Sequence, residues 1–83
     1  MYTTIKNAPQ AESFLVIVRH SRGWYSLHRA VNINGRILSV AWECDGLGKL
    51  SNIKMLIPPS SPVLTGIWAE KIGKSGRELV RAS

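Results

Sequence analysis

The sequence is short of acidic residues, of cysteine and of long apolar runs, and each shortage narrows what the protein can be. Only five Asp and Glu accompany eleven Lys and Arg, which leaves a net charge of +6 at pH 7. Because a cationic surface attracts anions, this balance favours nucleic acid, an acidic protein surface or anionic lipid as the partner.

Cysteine and histidine are too few for a structural zinc site or for a disulfide. Cys44 is the only cysteine, so the chain cannot form an internal disulfide. A structural zinc takes four Cys or His ligands, and one cysteine and two histidines are too few. The hairpin described below also puts Cys44 and His28 on opposite faces, so Cys44 is not expected to form a metal site with His20 and His28. We expect no bound metal and no cofactor.

The apolar runs are too short to cross a membrane as a helix. Phe14–Val18 has about a quarter of the ~20 residues that a membrane-spanning helix needs, and the N-terminus has no signal-peptide pattern. We expect a cytoplasmic protein without membrane contact. With 83 residues, of which 45% are hydrophobic, residues 1–83 are expected to fold as a single small domain.

Asn34-Gly35 is the strongest local signal, because these two residues tolerate the positive φ angles of a type I′ hairpin turn. The turn fixes a register in which the paired residues are Ile33 and Arg36, Asn32 and Ile37, Val31 and Leu38, Ala30 and Ser39, Arg29 and Val40, His28 and Ala41, and Leu27 and Trp42. This pairing separates a mostly apolar face from a mixed one. Trp42 and Trp68 are expected in the core.

Two further strands are expected around this hairpin. Phe14–Val18 is a continuous β-branched run typical of a central strand, and the short link His20–Gly23 makes it the first strand of a second hairpin. Ile53–Ile57 is predicted as a fourth strand. Residues 13–57 then form an antiparallel meander, and residues 1–12 form an arm or a single helical turn.

Residues 60–83 have two interpretations. Ser61 as N-cap, with Pro62 at the first helical position, predicts a helix over Pro62–Ile72 and an α+β fold. The run Thr65–Trp68 favours strands instead, which we prefer.

The strand interpretation makes residues 73–76 a turn that brings Lys71 close to Glu78. The predicted fold class is therefore mainly β. It is a small antiparallel sheet or a partly open barrel, of five to six strands built from hairpins.

Arginine, histidine and aromatic side chains are concentrated between Arg19 and Arg29. Guanidinium groups bind phosphate oxygens and aromatic rings stack on bases, so this mixture favours nucleic-acid binding. A second cationic group lies near the C-terminus, and its turn can share a rim with the turn at Arg22. The candidate contacts to nucleic acid or another partner are Arg19, His20, Arg22, Trp24, His28, Arg29, Lys74 and Arg77.

Arg29 is the least expected of these residues, because the predicted register puts its charge on an apolar face. Its guanidinium either extends outward to solvent or faces a ligand or partner.

We favour a regulatory, non-catalytic module that binds nucleic acid through loops and one sheet face. The alternative is a protein-binding inhibitor or adaptor that docks on a larger partner, similar in size alone to the regulatory and anti-host-defence proteins of phages and plasmids. The third hypothesis is a small ribonuclease in which His20 or His28 acts with Glu43 as an acid–base pair. Pairing of two chains through a sheet edge is compatible with all three.

Overall fold

The computed structural model describes residues 2–44, 48–73 and 76–82, and in these the protein is mainly β. The elements are β1 Thr3–Ile5, β2 Phe14–Ser21, β3 Trp24–Ile33, β4 Arg36–Trp42, α1 Leu50–Met55, β5 Pro62–Gly73 and β6 Gly76–Arg81. None of the helical residues within those ranges belongs to a helix long and apolar enough to cross a membrane.

The six strands form one mixed sheet in the order β1-β5-β2-β3-β4-β6, and a further pairing of β5 with β6 closes five of them into a ring. The sequence predicted an antiparallel sheet, but the sheet is mixed, because β5 runs parallel to both β1 and β2. Hairpins account for the β2–β3, β3–β4 and β5–β6 pairs. The parallel contacts join segments that are distant in sequence.

Apolar side chains form two clusters, one on each face of the sheet. The cluster inside the ring consists of Phe14, Val16, Val18, Ala30, Ile37, Leu64 and Leu79. The outer cluster lies beneath α1 and consists of Leu15, Ile17, Leu27, Ile53, Ile57 and Val63. Successive side chains of β2 point alternately into the two clusters, so β2 is buried on both faces. This explains why its apolar run is continuous.

The Asn34-Gly35 turn is confirmed, with positive φ at both residues, 53° and 88°. The predicted pairs from Ile33–Arg36 as far as Ala30–Ser39 are also present. Beyond them β4 has one extra residue, a β-bulge, so that Arg29 pairs with Ala41.

The bulge makes the rest of the predicted register wrong by one residue. Val40 is the extra residue and does not pair with Arg29, and His28 lies opposite Trp42 in place of Ala41. Because directly paired residues of antiparallel strands share a face, Trp42 joins His28 on the inner face and does not pack against Leu27. We expected Trp42 in the core, but 39% of it is exposed, so that prediction is wrong.

The predicted strand Ile53–Ile57 is wrong, because Leu50–Met55 forms α1. Leu50, Ile53 and Ile57 follow the i, i+3, i+7 spacing of a helix face, and all three contact the outer apolar cluster. The helical spacing starts before the segment that we interpreted as a strand, which is why the shorter window indicated strand.

The strand interpretation of the last third is confirmed and the helix over Pro62–Ile72 is wrong. β5 and β6 form a hairpin in which Lys71 pairs with Glu78, as predicted. Lys74, which the sequence placed at the tip of this hairpin, lies outside the described residues. The N-terminal segment, expected as an arm or a helical turn, contains the short strand β1, which pairs with β5.

We predict that Gly66→Ala destabilises the protein by about 1–2 kcal/mol, because a side chain is strained at positive φ. Gly66 has φ +96°, and a Cβ there would overlap the Arg81 guanidinium. Gly73→Ala is the matched control in the same strand, since a Cβ at Gly73 meets nothing within 4 Å. Urea unfolding of both variants provides the measurement, and equal stabilities would contradict the prediction.

Candidate functional site

Several strand ends meet at one end of the ring. β2 and β5 are parallel, with Val18 opposite Trp68, so the β2–β3 turn and the paired residues Gly73 and Gly76 lie at the same end. β4 also ends here, whereas the Asn34-Gly35 turn lies at the opposite end. We call this the tryptophan end, because both Trp24 and Trp42 lie there.

A cluster of polar side chains occupies the inner face of the ring near the tryptophan end. Successive strands of the ring supply His20 from β2, Ser26 and His28 from β3, Ser39 from β4, and Glu70 from β5. We call these five residues the histidine cluster. They continue the inner apolar cluster along the same strand faces, so one end of the ring interior is apolar and the other is polar.

Ser26 and Ser39 bind the imidazole nitrogens of the two histidines. The Ser26 Oγ lies 2.5 Å from His20 Nε2 and 2.7 Å from His28 Nε2. The Ser39 Oγ lies 2.9 Å from His28 Nδ1. Ser26 and His28 have no exposed surface, yet every buried side-chain polar atom among the described residues has a partner.

Glu70 continues the cluster toward solvent. Its Oε1 lies 3.5 Å from His20 Nδ1, and its Oε2 lies 3.7 Å from Arg77 Nη1. The parallel register explains the first contact, because His20 and Glu70 each lie two residues beyond the paired Val18 and Trp68. A carboxylate therefore faces the imidazole at the end of the ring interior.

One assignment of protons satisfies every hydrogen bond between the serines and the imidazoles. His20 Nε2 accepts from the Ser26 hydroxyl, and the Glu70 carboxylate is a more distant neighbour of His20 Nδ1. Ser26 in turn accepts from His28 Nε2–H, and His28 Nδ1 accepts from Ser39. Hydrogen positions are assigned here from the donor and acceptor balance.

Trp42 covers the two histidines. Its ring centroid lies 4.9 Å from that of His20 and 4.9 Å from that of His28, and the two imidazole centroids are 5.6 Å apart. The β4 bulge is responsible, because it turns Trp42 to the inner face. The indole thereby limits the access of water to the imidazoles.

Burial lowers the pKa of His28 below its ordinary value, because the charged imidazolium loses hydration there. The negative charge of Glu70 opposes this decrease in pKa, while the nearby His20 and Arg77 reinforce it. His28 is therefore neutral at neutral pH, in agreement with the proton assignment above.

The order hydroxyl, imidazole, carboxylate in Ser26, His20 and Glu70 is that of a nucleophilic triad. Ser26 has no exposed surface, so a substrate cannot reach its hydroxyl in this arrangement. Two imidazoles and a carboxylate are also metal ligands, and one ligand atom each of His20, His28 and Glu70 lies within 4.8 Å of the other two.

The sequence-predicted residues divide between the outside and the inside of the ring. Arg19, Arg22 and Trp24 are exposed at the tryptophan end, and the two arginines line a shallow concavity with Ser21, Gly23 and Tyr25. His20 and His28 belong to the histidine cluster, and Arg77 lies beside Glu70. His20 was expected in a loop, but it is the extra residue of a bulge in β2.

Arg29 is held by contacts within the chain. Its Nε donates to Glu43 Oε2 at 3.1 Å, its Nη2 donates to Glu43 Oε1 at 3.0 Å, and its Nη1 donates to Ser13 at 3.2 Å. Of the two alternatives, outward extension is the observed one. Both carboxylate oxygens of Glu43, the residue expected to pair with His20 or His28, are engaged by Arg29.

Sequence reasoning missed Ser26, Ser39, Glu70 and the contact of Trp42 with the histidines. The sequence did indicate two of these residues. Ser26 and His28 are two positions apart and therefore share a strand face, and the register of the Asn34-Gly35 turn puts Ser39 opposite Ala30 on that same face. Glu70 required the parallel pairing of β2 and β5. Trp42 required the bulge, which no residue pattern indicates.

Comparisons of the chain with protein-family models, with curated proteins and with solved structures find no match. The functional inference therefore rests on the geometry of the tryptophan end and of the histidine cluster.

We predict that Ser26→Ala lowers the free energy of unfolding by about 1–3 kcal/mol, because it removes the hydrogen-bond partner of a buried imidazole nitrogen. The exposed Ser21 is the matched control, and Ser21→Ala should change stability by less than about 0.5 kcal/mol. Chemical denaturation measures both. A Ser26→Ala protein as stable as the control would mean that the hydroxyl does not hold the histidines.

The ion pair of Arg29 with Glu43 gives a second prediction. Hydrogen bonding to Arg29 holds the pKa of Glu43 below its ordinary value. The stability from this pair is therefore present above the ordinary carboxyl pKa and is lost as the pH falls through the lowered one.

Arg29→Ala should raise the pKa of Glu43 toward its ordinary value, as measured by NMR titration of the carboxyl group. Glu78 is the control, because hydrogen bonding to Arg36 lowers its pKa and Arg29 takes no part in that contact. A Glu43 pKa that does not change in the variant would contradict the bidentate contact.

Proposed function

We propose that the protein binds single-stranded nucleic acid at the tryptophan end. The observation that carries the proposal is the antiparallel pairing of β2, β3 and β4, which puts two partly exposed tryptophans and the arginines of the β2–β3 turn at one end of the ring. A stacking surface beside free cations is the combination that single-stranded nucleic acid requires.

The aromatic part of this surface consists of Trp24, which is 47% exposed, and Trp42, which is 39% exposed. Trp42 also packs against the two imidazoles, so Trp24 is the ring more available to a partner. Indole rings can stack on bases of any sequence. We therefore expect little sequence preference.

The cationic part consists of Arg19 and Arg22. Both are exposed, and neither forms an ion pair with a carboxylate in the ranges that the structure describes. Arg29 differs, because Glu43 occupies its guanidinium. The arginines of the β2–β3 turn are thus available for phosphate groups.

We predict that Trp24→Ala weakens binding by about 1–3 kcal/mol, the usual contribution of one stacked base. Arg19→Ala with Arg22→Ala should reduce the slope of log K against log salt by about 1.4, since each phosphate contact to a single strand contributes about 0.7. Fluorescence anisotropy with a labelled oligonucleotide of about 12 nucleotides measures both effects.

Lys6→Ala is the matched control, because Lys6 lies beside Asn32 and Gly35 at the opposite end of the ring. Its effect on affinity should be smaller than that of either arginine. If the unmodified protein does not bind the oligonucleotide at low salt, the proposal is wrong and a protein partner becomes the better interpretation. Binding that responds equally to Lys6→Ala and to the arginine variants would place the contact elsewhere.

A further inference from the structure

The histidine cluster contains a set of metal ligands that the nucleic-acid proposal does not use. His20, His28 and Glu70 come from three strands, and one nitrogen or oxygen of each lies within 4.8 Å of the others. These strands are joined in the ring by β2, which pairs with both β3 and β5. The ligands therefore lie on paired strands and do not depend on a loop.

The chemistry of the three groups suits a divalent transition metal. Two imidazoles and one carboxylate are the protein ligands of many zinc sites in which a fourth position is left to water or another ligand. Each of the three side chains supplies one ligand atom on the inner face of the ring. A hard cation such as Mg²⁺ prefers oxygen ligands and fits this set less well.

The three groups can reach one metal ion after a small shift, and two of them contact solvent. A tetrahedral zinc with bonds of about 2.0–2.1 Å separates its ligands by roughly 3.4 Å, so a pair that lies 4.8 Å apart has to approach by about 1.4 Å. His20 has 19% of its side chain exposed and Glu70 has 17%. His28 is buried beneath Trp42, so the indole has to move aside as the ion enters.

We propose that His20, His28 and Glu70 bind one divalent transition-metal ion, with Zn²⁺ as the best fit to the two imidazoles and one carboxylate. Binding replaces some of the contacts within the cluster. The Glu70 carboxylate exchanges its long contacts with His20 and Arg77 for the metal, and at least one imidazole nitrogen exchanges a serine hydroxyl for it. This inference does not depend on nucleic-acid binding.

The experiment uses the untagged 83-residue chain after treatment with a chelator. Titration with Co²⁺, a spectroscopic substitute for Zn²⁺, should give visible absorption that saturates at one equivalent and disappears when Zn²⁺ is added. Zn²⁺ alone should raise the melting temperature, because it binds the folded protein in preference to the unfolded one. No absorption together with an unchanged melting temperature would overturn the proposal.

Variants at the two more exposed ligands test the assignment without removing the buried histidine. His20→Ala and Glu70→Gln should each weaken Co²⁺ binding by more than about a hundredfold, since loss of a direct ligand exceeds the 10–100-fold effect of an outer partner. Cys44→Ser is the matched control and should bind as the unmodified protein does, because Cys44 packs on the outer cluster. Unchanged affinity in both ligand variants would overturn the site.

Trp42 supplies an independent readout of position. Its ring lies against both imidazoles, so paramagnetic Co²⁺ in the proposed site should quench its fluorescence. Trp42→Phe should therefore lose most of the Co²⁺-dependent quenching. Quenching that persists fully in Trp42→Phe would place the ion elsewhere on the protein.

Discussion

The parallel pairing of β2 with β5 is the contact on which the rest of the structure depends. Together with the β5–β6 hairpin it closes the ring, and closure creates the interior in which the inner apolar cluster and the histidine cluster lie. The same pairing sets His20 beside Glu70. The candidate binding surface, in contrast, comes from the β2–β3–β4 hairpins, and the β2–β5 pairing only brings the end of β5 next to it.

Polar side chains occupy one end of the ring interior, where apolar side chains are more usual. Buried imidazoles and hydroxyls lose hydration, and only complete hydrogen bonding offsets that loss. Here two serines form hydrogen bonds to three of the four imidazole nitrogens, and a carboxylate lies 3.5 Å from the fourth. An apolar filling would stabilise the domain more simply. A polar cluster beneath a partly exposed tryptophan therefore favours a function for it, and the spacing of its ligand atoms makes that function metal binding in our proposal.

The sequence predicts the local parts of this protein and misses the distant ones. The Asn34-Gly35 turn defined its hairpin and the pairs nearest to it, because turn geometry fixes register over a few residues. The bulge at Val40 then moved Trp42 from the outer face of the sheet to the inner one. No residue pattern in the sequence predicts that bulge. The parallel pairing was also missed, since it joins segments separated by more than half of the chain. Arg19, Arg22 and Trp24 could be chosen as candidate contacts from the sequence because they surround a hairpin turn, whereas Glu70 joins the histidine cluster only through the pairing of β2 with β5.

Closure of the ring also bears on how the chain folds. Leu15 pairs with Val63 across the long interval that contains β3, β4 and α1, and bringing such distant segments together costs loop entropy before any contact forms. The β2–β3–β4 hairpins, in contrast, require only short loops. His20 and Glu70 meet only when β5 has been added, so their contact reports completion of the tertiary structure. A domain of this topology is expected to fold more slowly than a helical bundle of equal length.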